Sequence, residues 1–204
     1  MPLSKETQDK IVTAAFALAA EKPWKDITLA QIAGQAGVSM SDLYELGSKT
    51  TLLSEIDGWL DRACGAEPVD MEETPRERIF DIAMLRFEAM EDHREAIMSI
   101  REGWMRRPAA RALAAKRRMK TAQWVLTCAG ETNPMLFKAR AAVLSGILFR
   151  AEQAWAKEEG EDFTRTMAQL DRDLRDVSGW AARLSDFPFR KKDKKEAAEK
   201  SAAC

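Results

Sequence analysis

The side chains in this sequence best placed to do chemistry are hydroxyls and one thioether near the starts of two short helices. The chemistry they suit is recognition and not bond-making. Thr28 stands three residues before Gln31, and Ser39 three before Asp42. Each pair has the pattern of a capped helix N-terminus, in which the later side chain reaches back to the cap. The backbone N–H groups and positive dipole end at such a terminus suit phosphate oxygens. The hydroxyls of Ser39 and Ser41 can hydrogen-bond to base edges, and Met40 can contact a thymine methyl. Bond-making chemistry finds no comparable set. His93 is the single histidine, within Glu91-Asp92-His93-Arg94-Glu95, and reads as a solvated helix-boundary residue, since no Cys, Ser or metal ligand pairs with it by spacing. There is no phosphate-binding glycine loop, nucleophile elbow or metal-ligand spacing, so the expectation is no enzyme, no cofactor and no metal.

The elements that must hold these residues are legible from their ends. Ser4 precedes a first helix with Ile11, Ala14, Ala15, Leu18 and Ala19 at helical spacing, ended by Glu21-Lys22-Pro23. Thr28 opens a second helix closed by Gly37, and Ser39 a third closed by Gly47. Two short helices joined through Ala36-Gly37-Val38-Ser39 make a helix-turn-helix. Ser48 opens a fourth helix carrying Leu52, Leu53, Ile56, Trp59, Leu60 and Ala63, which stops near Gly65, and the polar stretch from Ala66 to Glu73 is the clearest break. Thr74-Pro75-Arg76-Glu77 combines cap, first-turn proline and returning glutamate, predicting a helix with Ile79, Ile82, Ala83, Leu85, Phe87 and Met90 on its apolar face. Further helices are expected from Arg94 to Arg106, from Pro108 to Ala129, from Asn133-Pro134 to Gly160, and from Asp162 onward with Met167, Leu170, Leu174, Val177, Ala181 and Leu184 on one stripe.

Composition agrees with an all-α protein of about nine helices. Apolar residues make up 46% and charged residues 32%, and no stretch alternates apolar with polar as a strand would. The 32 basic and 33 acidic residues nearly cancel to a net charge of −1, so no whole-chain field draws the protein to nucleic acid or anionic lipid. Residues 1–50 carry five Lys and no Arg against six acidic residues; indiscriminate DNA binding is expected to be weak, with a shallow salt dependence. Cys64, Cys128 and Cys204 have no pairing or metal spacing, the start of the chain lacks an apolar signal region, and no apolar run approaches a membrane span. The expectation is a cytoplasmic protein with no integral membrane association.

The run Thr28-Leu29-x-x-Ile32-Ala33-x-x-Ala36-Gly37-Val38-Ser39, then Leu43-Tyr44, then Ser48-Lys49-x-x-Leu52-Leu53, resembles the TetR family of helix-turn-helix transcriptional regulators. The resemblance implies a head over residues 1–50 that binds DNA, a helical ligand-binding and dimerisation body over 51–187, and leaves 188–204 as a charged, disordered tail. It places DNA contacts on Thr28, Ser39, Met40, Ser41, Tyr44 and Lys49, with the tyrosine and lysine holding phosphates. The segment between Tyr44 and Ser48-Lys49 is one residue shorter than the family's usual pattern. The implied function is a ligand-responsive repressor acting as a homodimer on a palindromic double-stranded operator. Phe80-Asp81-Ile82 through His93-Arg94, with Trp155 and Phe163 to Leu174, also looks like the TetR-fold lipid-binding accessory proteins of ubiquinone biosynthesis, which implies the alternative of lipid binding without DNA function.

Met84, Phe87, Met90, Trp104, Met119, Trp124 and Phe149, on the middle helices, together favour a pocket for a small hydrophobic ligand, because Met adapts its shape and aromatics bury large area. Met98 and Trp155 belong to the same group. Each one alone reads as ordinary helical core. Ala139, Ala142, Ser145 and Gly146 permit close helix approach, either within one chain or across a dimer.

Overall fold

The computed structural model describes residues 3–105, 108–160 and 162–185, with the side chains of 104, 105, 108 and 178–185 outside the description. Among the described residues the chain forms nine α-helices and two 3-10 turns and no strand. They are α1 (Lys5–Glu21), α2 (Leu29–Ala36), α3 (Met40–Leu46), α4 (Lys49–Asp61), α5 (Pro75–Glu91), α6 (Arg94–Met105), α7 (Pro108–Cys128), α8 (Pro134–Trp155) and α9 (Thr164–Ser185). No helix among the described residues is long and apolar enough to cross a membrane.

The head is built by α1 to α3 and the start of α4. Ile11, Ala15, Ile32, Leu43 and Leu52 are buried and close its core, so the short helices α2 and α3 are held by packing where their length alone would leave them marginal. Helix α1 also packs on α6. There Ser99 Oγ accepts from the Trp24 N–H at 3.0 Å and donates to the Lys22 carbonyl, fixing the link before α2 against the body. Helix α4 begins at Lys49 and runs on to Asp61, so head and body share it.

Helix α5 is the centre of the body, touching α4, α6, α7 and α9. The single apolar stripe expected there is too narrow. Arg78, Ile82, Ala83, Met84, Arg86, Phe87 and Met90 are all buried, because neighbours enclose the helix on several sides. Arg78 is accommodated by donating to the carbonyls of Ala129, Met71 and Glu73, which also pins the 66–73 segment.

Helix α8 stops at Trp155 and not at Gly160. Arg94 Nη2 takes the carbonyls of Trp155 and Glu158 at 3.0 and 2.8 Å, capping the helix end from outside. Glu158 in turn accepts from the N–H groups of Arg165 and Thr166 and caps the start of α9. On α9, Leu170 and Leu174 face inward together with Thr166 and Asp173, while Met167 and Val177 are exposed; the side chains of Ala181 and Leu184 and the tail 188–204 lie outside the described residues.

Candidate functional site

The turn between α2 and α3 is set by Gly37, which adopts φ 66° and ψ 32° and donates to Gly34 O, while Val38 N–H reaches Ala33 O. A side chain at that left-handed φ would be strained. Both reciprocal caps form. Thr28 N–H donates to Gln31 Oε1 at 2.9 Å and Gln31 N–H to Thr28 Oγ1 at 3.2 Å. Ser39 donates to Asp42 Oδ2 through both its N–H (2.9 Å) and its hydroxyl (2.7 Å), and Asp42 N–H returns to Ser39 Oγ. These bonds hold the Asp42 carboxyl below the usual carboxylate range. The charge is therefore spent on the first turn of α3. Each box satisfies the cap and third-position N–H groups, leaving those of the first two helical residues for an outside acceptor.

Beyond the cap, α3 presents side chains to solvent. Met40 is 52% exposed and Tyr44, one turn on, is 82% exposed. Ser41 is exposed beside them, while Leu43 and Leu46 face the head core. Thr28 and Ser39 are also exposed. Lys49 differs. Its Nζ donates to the carbonyls of Trp24 and Ile27 at 2.5 and 2.7 Å and lies 4.4 Å from the centroid of the Trp24 ring. Burial lowers its pKa against the pull of Asp26. The first residue of α4 thus holds the turn that leads into α2.

The second feature is a cavity of about 130 Å³, partly open to solvent and lined by residues of α4 to α8. Leu53, Ile56 and Leu60 of α4, Met90 of α5, Ile97 and Ile100 of α6 and Phe149 and Trp155 of α8 give it apolar walls. Its other lining is charged: Asp57, Arg86, Arg101, Arg117, Arg118 and Glu152. Arg86, only 6% exposed, donates through Nε to Asp61 at 2.8 Å and through Nη2 to Asp57 at 3.3 Å, with Glu152 at 3.9 Å. Burial disfavours that charge, but the three carboxylates outweigh it and hold the guanidinium above its ordinary pKa. Arg117 Nε donates to Asp57 Oδ2 at 2.5 Å, Thr121 Oγ1 to Asp61 Oδ2 at 3.0 Å, and Arg118 makes two bonds to Glu152 Oε2.

The apolar residues singled out in the sequence divide on the structure. Met90 and Phe149 line the cavity, and Arg118 lies 4.8 Å from the Phe149 ring centroid. Met84 and Phe87 are in the continuous core, Met119 packs partly buried against it, and Trp124 lies half in solvent with its indole N–H on Asp61 O. The Trp104 side chain lies outside the description. His93 is not the solvated residue expected. It stacks on Phe16 with centroids 4.1 Å apart and meets Trp59 edge-on, because the α5–α6 junction is pressed against α1 and α4. Among the described residues, no group of three or more His, Cys, Asp or Glu is placed to hold a metal. Burial pushes the Cys64 thiol up to about 12, which leaves it a poor nucleophile.

Sequence reasoning missed the charged lining. Part of it was available: Arg86 falls among Ile82, Ala83, Phe87 and Met90 at the spacing of the buried stripe, and Asp57 and Asp61 are one turn apart beside Ile56 and Leu60. The convergence of Arg101, Arg117 and Arg118 from two other helices had no local signature.

Solved structures share this architecture. The TetR transcriptional regulator from Nitrosomonas europaea ATCC 19718 matches with a TM-score of 0.67 at 22% identity, over 85% of this chain and 98% of that one. A TetR transcriptional regulator from Rhodococcus sp. RHA1 matches with a TM-score of 0.60 at 17% identity, over 86% and 96% of the two chains. No protein-family model matches the sequence, and no curated protein matches it. The chain has the TetR fold, as its helix-turn-helix residues led one to expect.

Proposed function

We propose that this TetR-fold chain is a ligand-responsive transcriptional repressor that binds DNA as a homodimer. The observation that carries the reading is the exposed face of α3, where Met40 and Tyr44 stand in solvent on a helix whose other face is locked into the head. Large apolar and aromatic groups on a capped, pre-positioned helix are suited to the major groove. Met40 and Ser41 meet base edges, Tyr44 and the N-termini at Thr28 and Ser39 meet phosphates, and Lys49 orients α2 from within.

A dimer face is supported by the outer side of α8. Leu136 and Val143 are 44% and 46% exposed, with Ala139 and Gly146 beside them, and a Cβ built on Gly146 meets nothing within 4 Å. A dimer packed about a two-fold axis on this face would read a palindromic site, which requires the two reading helices about one DNA turn apart, roughly 34 Å. Helix α4 then couples the parts, since its Asp57 lines the cavity and its Lys49 holds the link to α2. Ligand releases DNA only by binding the DNA-incompetent arrangement more tightly.

The test is electrophoretic retardation of the DNA upstream of the protein's own gene at low salt, followed by the same assay on Tyr44→Phe and Lys49→Ala. Selective retardation by the wild type, weakened in both variants, is expected. No selectivity in the wild type overturns the reading. The second reading, a lipid-binding accessory protein without DNA function, draws support from the commitment of Lys49 to main-chain carbonyls in a head with no arginine. A lipid copurifying with protein that lacks DNA selectivity would favour it.

A further inference from the structure

We infer that the cavity between α4 and α8 takes a compact amphipathic anion, a carboxylate carried on a small apolar body, and not a purely hydrophobic ligand. The inference rests on the reading of the body as a ligand-binding module. Its warrant is the charge count at the cavity. Four guanidinium groups, from Arg86, Arg101, Arg117 and Arg118, line it. The carboxylates facing them are Asp57 and Glu152, which share the lining, and Asp61 behind Arg86. Among the described residues, four cations against three anions leave one positive charge in excess at the cavity.

The excess is localised by the hydrogen bonds. Arg86 and Arg117 are taken by Asp57 and Asp61, and Arg118 by Glu152. Arg101 instead donates to two neutral oxygens, the Glu152 carbonyl at 3.0 Å and Gln153 Oε1 at 2.5 Å. Burial and the neighbouring Arg118 both lower its pKa, against Glu152. A guanidinium in that position gains more from an incoming carboxylate than from neutral oxygens. The rest of the wall, Leu53, Ile56, Met90 and Phe149, is apolar. A volume of about 130 Å³ is of the size that, in an engineered apolar cavity of about 150 Å³, accepts benzene. One aromatic ring or a short aliphatic chain fits.

The same geometry says how such a ligand would be felt. A carboxylate on Arg101 adds an anion beside Glu152, the residue that also holds Arg118 of α7 and faces Arg86. Arg86 in turn ties α5 to Asp57 and Asp61 of α4, so the added charge is felt on α4.

Titration calorimetry on the full-length protein, with benzoate against benzyl alcohol as its neutral counterpart, tests the assignment. Benzoate is expected to bind at least about tenfold more tightly, about 1.4 kcal/mol at 25 °C. Arg101→Gln should remove that preference while leaving the alcohol unchanged, and Arg101→Lys, which keeps the charge, should retain part of it. Equal or better binding of the alcohol, failure of both to bind, or a benzoate affinity untouched by Arg101→Gln would overturn the inference. Circular dichroism of both variants distinguishes lost recognition from lost fold. The retardation assay separates the two proposals: selective DNA binding without benzoate binding leaves the regulator reading standing, and the reverse leaves only the anion site.

Discussion

The Lys49 ammonium bridges the carbonyls of Trp24 and Ile27 over the Trp24 ring, so the first residue of α4 fixes the turn from which α2 departs. Lysine was expected at this position as a phosphate contact. Its geometry gives it an internal role: it ties the first turn of the helix that carries the cavity's Asp57 to the turn that leads into α2.

Lys49→Ala should therefore destabilise the protein as well as weaken DNA binding. Two hydrogen bonds from a partly buried cation are worth about 1–3 kcal/mol together, allowing for water reaching the site. Urea denaturation of the variant reads this directly. An unchanged midpoint would mean that these contacts contribute nothing to stability.

Arg86→Met should be among the most damaging single changes in the body. It would leave Asp57, Asp61 and Glu152 facing one another with their central cation gone. Breaking a buried ion pair by removing one partner costs about 3–5 kcal/mol. Replacing Asp57 and Asp61 by Asn in the same chain should recover part of the loss, and equilibrium unfolding of single and combined variants measures both. A loss below about 1 kcal/mol for Arg86→Met would show that the cluster contributes little.

Burial against Phe16 and Trp59 holds the His93 imidazole below its ordinary value of 6.5, with Asp92 pulling the other way. The unfolded chain therefore takes up this proton first. The contribution of His93 is complete above pH 6.5 and is lost as the pH falls through the lower, folded value. His93→Phe keeps the stack and removes the proton. The stability difference between about pH 7.5 and pH 5 should be smaller in the variant than in the wild type; identical pH profiles would remove His93 from the account.

Val143→Glu tests the outer face of α8. Val143 is 46% exposed in the single chain, so the change should cost the monomer less than about 0.5 kcal/mol. Across a two-fold interface the same residue meets its copy's surface, and a pair of buried carboxylates there is strongly unfavourable. Light scattering on the eluted protein should find a dimer for the wild type and a folded monomer for the variant. A dimer in both would move the interface elsewhere.

How much of this was open to inspection from the chain alone depends on the range of the interactions involved. Caps and turns are local. Thr28 with Gln31, Ser39 with Asp42 and Thr74 with Glu77 all close within three residues, and Gly37 needs only its own backbone freedom, so both short helices and the start of α5 follow from adjacent residue types. The all-helical architecture and the helix-turn-helix were determined at that level. The end of α8 was not, because Arg94, more than sixty residues earlier, takes the Trp155 carbonyl. Nor was the environment of His93, which Phe16 and Trp59 supply from two other helices. The cavity is the extreme case. Its arginines come from α5, α6 and α7 and their carboxylate partners from α4 and α8. Apart from Arg86, Asp57 and Asp61, whose spacing follows the buried stripes, a charged residue on those helices reads as solvent-facing, since leaving it in water costs least. Only packing decides which charges are brought inward, because a buried guanidinium is tolerated where carboxylates from other helices arrive at the same point.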